Sequence, residues 1–174
     1  MKNRTFFKFQ FLTLVVSCLF SVGLLAAQLG DKALVERDLN VLMKKGLESA
    51  LQQLDETRQV VPFLMMVKQN GELAVIYVPQ TDDVEGVSVD KQIFALRNKG
   101  QGAASFGDVR AALVCYYTTM KLGEVAHQGL MFEIEHEAKL AMARFLPITM
   151  KEDEKLVVHT EKLFTEGKPL VIFN

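Results

Sequence analysis

Cysteine is scarce in this chain: 174 residues hold two, which excludes a disulfide scaffold. Long apolar runs are nearly as scarce, because residues 11–27 form the only one, and a polytopic membrane protein is excluded with them. The short motifs that carry metal, thiol, phosphate or serine chemistry are missing too. No H-E-x-x-H, C-x-x-C, G-x-G-x-x-G or G-x-S-x-G occurs. What is present is the composition of an ordinary globular chain, 49% hydrophobic and 24% charged. That excludes disorder, and the length fits one domain.

Acidic residues are absent from the first 27 positions, where Lys2, Arg4 and Lys8 precede the uncharged run 11–27. A basic start followed by an apolar run is the layout of a secretory signal. Ala26 and Ala27 supply small residues for cleavage, so residues 28–174 are expected as the mature domain. Leu25 is larger than the A-x-A pattern wants, and the run is long enough to cross a bilayer with tilt. Residues 1–27 therefore read as a signal peptide or as an uncleaved membrane anchor. Cys18 offers a lipoprotein reading, but a second apolar stretch follows it where a polar tether belongs. In either main reading the basic end stays inside and the domain is expected in the periplasm or outside the cell.

Removing the three basic residues of this segment from the chain's 20 leaves 17 against 21 acidic, a net charge of −4. Nucleic acid is a disfavoured partner for such a domain, and the membrane is expected to be met only through residues 1–27.

Within residues 31–56, Leu34, Val35, Leu39, Leu42, Met43, Leu47, Ala50, Leu51 and Leu54 recur at three- and four-residue spacing, which predicts an amphipathic helix. Asp31 is its expected N-cap and Pro62 bars its continuation. Gly46 inside the pattern implies either close packing or a loosely held start. Residues 63–67 and 73–78 are β-prone runs around Asn70-Gly71, a pair that favours a type I′ hairpin. Residues 81–86 read as a solvated acidic loop, short of the ligand register that calcium requires.

Val89, Ile93, Phe94 and Leu96 predict a second helix, fraying near residues 99–102. Strands at 109–121, 130–136 and 140–148 follow, with strand-like pieces at 156–159 and 170–173. The expected fold is α+β, a single antiparallel sheet of about five strands with two helices in the order α-β-β-α-β-β-β.

A two-residue turn at Ala138-Lys139 sets one register for the last long hairpin. Glu137, Glu135 and Glu133 then face Leu140, Met142 and Arg144 on one side, while His136, Ile134 and Phe132 face Ala141, Ala143 and Phe145 on the other. Lys139 would take a positive φ, where glycine is preferred.

Pro62-Phe63 before the first hairpin, Arg110-Ala111-Ala112 opening the third strand, Glu135-His136 before the turn and Phe145-Leu146-Pro147 closing the next strand resemble a family of small, uncharacterised bacterial α+β domains. The resemblance runs from Leu42 to the C-terminus and departs at Lys139 and Ile148, where the family has glycine and tyrosine. It implies the strand assignment and no activity.

Glu135, His136 and Glu137 alternate across a strand, so His136 is expected to leave both acids and to pack at the end of the core. His127 and His159 stand isolated. Ser105 lacks an activating elbow and reads as a loop residue. Cys115 alternates with Leu113 and Tyr117 in an apolar strand and is expected to be a buried, inert thiol; its alternative is a nucleophile with His136 as base. Gly100, Gly102 and Gly107 follow a helix where a phosphate cradle needs a strand.

No catalytic residue, metal or cofactor is assigned. The expected function is an exported, non-catalytic binding or interaction module of the bacterial envelope. The alternatives are a small envelope enzyme using Cys115 or His136, and a membrane-tethered subunit of an envelope assembly. The candidate binding surface is the second face of the sheet, with Tyr116, Met120, Met131, Leu140 and Met142, too apolar for plain exposure: either the long first helix covers it, or it is left open and suited to a protein partner or small ligand.

Overall fold

The computed structural model describes residues 4–78, 88–150, 156–159 and 163–174, with the side chains of 4–30 and of Met150 left aside. The acidic loop 81–86 lies outside what is described, and of the expected signal or anchor at 1–27 only the helical backbone from Arg4 is described. Among the described residues, no helix is long and apolar enough to cross a membrane. Residues up to Arg37 form one compact unit and residues 38–174 a second, which holds the sheet.

The elements are α1 (Arg4–Thr57), β1 (Phe63–Lys68), β2 (Leu73–Tyr77), α2 (Val89–Ser105), β3 (Val109–Leu122), β4 (Val125–His136), β5 (Leu140–Met150), β6 (Leu156–Val158) and β7 (Phe164–Gly167). The α+β class and the single antiparallel sheet stand. Among the described residues seven strands stand where about five were expected, in the order β2-β1-β3-β4-β5, with β6 and β7 both pairing along β5. Residues 170–173 form no strand. Asp31 is inside α1 and does not cap it.

Both faces of the sheet are covered in this second unit. On one, Leu42, Ala50 and Leu54 of α1 pack on Phe63, Met65, Val67, Leu113, Cys115, Leu130, Phe132 and Ile134. On the other, Ile93 and Leu96 of α2, with Ile172 and Phe173, pack on Leu64, Met66, Ala112 and Val114. This explains β1, whose first five residues are all buried and all apolar, as a strand covered on both sides must be. Gly46 lies where α1 meets the sheet, and an added Cβ would stand 3.2 Å from both methyls of Leu113. Close packing is the reason for glycine there. α2 does not fray at 99–102; Ser88 caps its start, and Gly100 is buried against Ile172.

Two turns differ from expectation in the same way. In the β1–β2 turn, Lys68 N–H donates to Glu72 O at 2.9 Å and Gly71 N–H to Lys68 O at 2.9 Å, and positive φ falls on Gly71 alone, at 89°. A type I′ turn needs two such residues, so this is a three-residue loop closed by a left-handed glycine. Between β4 and β5, His136 pairs with Leu140, Glu135 with Ala141, Ile134 with Met142, Glu133 with Ala143 and Phe132 with Arg144. Residues 137–139 thus form a second three-residue loop, with Lys139 at φ 61°. The whole hairpin is shifted by one residue from the two-residue reading. Every β5 side chain consequently changes face.

Candidate functional site

The residue before Ala111 explains the first polar cluster. Val67 pairs with Ala111 and Lys68 with Val109, leaving Arg110 as the extra residue of a bulge, a device that re-aims a side chain. Arg110 reaches Asp38 of α1 through Nε to Oδ2 at 2.5 Å and a terminal nitrogen to Oδ1 at 3.0 Å, and donates to Gln69 O at 2.7 Å. The bond to Asp38 raises the guanidinium's pKa above its ordinary value, outweighing the opposing effect of burial. His136 accepts from Ala138 N–H at Nδ1, 3.0 Å, so in the neutral ring the proton sits on Nε2. That nitrogen is 3.5 Å from Asp38 Oδ2 and makes no hydrogen bond. Asp38, Arg110 and His136 are all buried, and the cluster ties α1 to the ends of β3 and β4.

A second cluster lies on the opposite face. Glu133 receives Arg97 of α2 in a two-pronged pair at 3.0 and 2.5 Å, and the Tyr116 hydroxyl at 2.8 Å. Burial, and then the neighbouring Glu133 charge, push the Tyr116 phenol well up. Glu135, beside it, accepts from Lys168 Nζ at 2.5 Å and from the backbone N–H groups of Val171, Ile172 and Phe173 at 2.7 to 3.2 Å. Burial acts to raise the pKa of Glu135, but Lys168 and these amides outweigh it and hold the carboxyl below its ordinary value. This carboxylate pins the C-terminal segment to the sheet. Glu135 and His136 therefore part company, as strand alternation requires, whereas Glu137 lies in the turn beyond β4 and accepts from Gln69 Nε2 at 2.8 Å.

Cys115 is fully buried, and burial drives its thiol pKa well up. It pairs with Phe132, whereas His136 pairs with Ala111; four strand residues separate the two, about 13 Å at the usual rise. The nucleophile-and-base alternative has no geometry to act through. Ser105 ends α2 and donates its hydroxyl to Gln101 O at 2.8 Å, so it is not a loop residue.

The five candidate binding residues divide. Tyr116, Met120 and Met131 lie on the second face, as expected. Leu140 and Met142 do not: they oppose His136 and Ile134 and share the α1 face with them, and Met142 packs against that core. Phe145, expected on the α1 face, takes their place opposite Met131. There, beyond the reach of the α2 core, Met120, Leu122, Met131, Phe145 and Phe164 enclose an apolar hollow of about 220 Å³ beside Thr165 and Glu166. Phe164 arrives on β7, directly opposite Phe145. The residues missed were Leu122, Phe145 and Phe164, the first two visible in the alternation of their strands once the register is right.

A larger and more polar hollow, about 500 Å³, lies between the 68–72 turn and the end of α2. Three of its four polar side chains are engaged with other residues: Lys68 with Glu72, Gln69 with Glu137, and Asn70 with the Glu72 N–H; the fourth is Asp108. The apolar hollow is the better candidate.

Comparison of the chain with protein-family models, with curated proteins and with solved structures gives no match.

Proposed function

We propose that this chain is an exported, non-catalytic binding module of the bacterial envelope, and that it takes an apolar group of its partner or ligand into the hollow between β3, β4, β5 and β7. One observation carries the reading. Asp38, Arg110, Glu133 and Glu135 are buried and spent on holding α1, α2 and the C-terminal segment, while the second face carries a half-open apolar recess. A concave apolar site with few polar groups at its edge is suited to binding. Export rests on the order of residues 1–27, basic and then apolar with Ala26-Ala27 at the end.

The binding half is tested with a fluorescent apolar probe titrated into the chain and into Met120→Asp and Met131→Asp. Both substitutions are expected to abolish probe binding with little change in thermal midpoint. Equal binding by all three proteins rejects the hollow as the site. N-terminal sequencing of soluble and membrane fractions tests export: a start near Gln28 is expected, and intact Met1 in the membrane gives the tethered form instead.

A further inference from the structure

We propose that two copies of this chain pair through β2, edge to edge and antiparallel, with Val75 on the twofold axis. β2 is an edge strand: β1 bonds one side of it, and among the described residues nothing pairs with the other. Its five residues, Leu73-Ala74-Val75-Ile76-Tyr77, include no charge and no proline, the devices that ordinarily protect such an edge. The opposite side of the sheet is treated differently, since β6 and β7 both lie along β5.

The backbone phase selects the register. Lys68 and Glu72 are a bonded pair, and bonded pairs alternate along an antiparallel hairpin, so Met66–Ala74 and Leu64–Ile76 bond inward. The N–H and C=O groups of Leu73, Val75 and Tyr77 therefore point to the open edge. The same three side chains are 39%, 43% and 47% exposed. They share the α1 face, being paired with Val67, Met65 and Phe63, yet stand outside its core.

A twofold axis at Val75 uses all of these groups together. Val75 meets its own copy, and Leu73 meets Tyr77 of the other copy in both directions. About six inter-chain hydrogen bonds form. The two exposed stripes become one apolar band, and no like charges face each other within the strand. This self-complementarity is what an isologous interface requires, and it singles out a second copy over a foreign strand.

The test is cysteine cross-linking of the full chain in detergent, in a Cys18→Ser background. Opposed bonded residues have Cα atoms about 5.5 Å apart, within disulfide range. Val75→Cys is expected to give a linked dimer on mild oxidation. Leu73→Cys and Tyr77→Cys are each expected to fail alone and to link when the two chains are mixed. Val75→Lys, folded by circular dichroism, is expected to sediment at half the mass of the parent. A monomeric parent, or equal linking at all three single positions, overturns the proposal. So does a monomeric parent whose β2 amides gain exchange protection only with another protein, an outcome that assigns the edge to a foreign strand.

Discussion

Asp38 and Arg110 are opposite charges on side chains 3% and 6% exposed, and their pairing decides what each can tolerate. Removing one partner strands the other in a medium that solvates it poorly, at a cost of about 3 to 5 kcal/mol; replacing both with apolar residues is nearly neutral. Asp38→Leu is therefore expected to lower unfolding free energy by that amount in urea denaturation, and the Asp38→Leu, Arg110→Met double variant to recover most of it. Additive losses contradict the pairing. Glu135 gives a second test, through pH. Its folded pKa lies below the ordinary value of 4.5, so its contribution is fully present above about pH 4.5 and is lost as pH falls through the lower folded value. The stability gap between the parent chain and Glu135→Gln is expected to be constant near neutrality and to close in acid. A gap independent of pH contradicts the clamp on residues 171–173. These pairs left a sequence signal in part. Arg110 interrupts the apolar run from Val109 to Cys115, and Asp38 follows Leu34 by four on the apolar stripe of α1. Glu135's backbone partners left none, because a backbone amide has no letter.

Among the elements, α1 from 31 onward, the first hairpin, α2 and the three long strands were legible because their apolar periods are long and regular. The register of β4 on β5 was not. The two-residue register puts Glu133, Glu135, Glu137 and Arg144 on one face and keeps them out of the other, but here both faces are covered. Glu133 is buried against Arg97 and Tyr116, and Arg144 shares the face of Phe132. Burial then no longer distinguishes the two registers; positive φ on Lys139 without Ala138 is the mark of the three-residue loop, since a two-residue type I′ turn needs both. β7 was invisible because Phe164–Gly167 is short and wholly exposed. The contact of α1 with the sheet, by contrast, was written in Gly46. Gly46→Val adds methyls where one Cβ already meets Leu113 at 3.2 Å, and overpacking of this kind costs about 1 to 3 kcal/mol. Urea denaturation is expected to show that loss, whereas an unchanged midpoint places α1 further from β3.

At the scale of the domain, buried charge fastens the covering segments, and apolar surface is left at the β2 edge, at the hollow at the far end of the second face, and at single exposed side chains such as Phe94 and Phe106. Of the hollow, Met120 and Met131 could be read from alternation alone, while Leu140 and Met142 were carried to it by the one-residue slip. The methionines themselves supply the most direct test of the binding account. With methyl-labelled methionine, addition of an apolar probe followed by NMR is expected to shift the signals of Met120 and Met131 and to leave those of Met65 and Met142, on the α1 face, in place. Shifts confined to Met65 and Met142, or none at Met120 and Met131 while the probe is bound, contradict it.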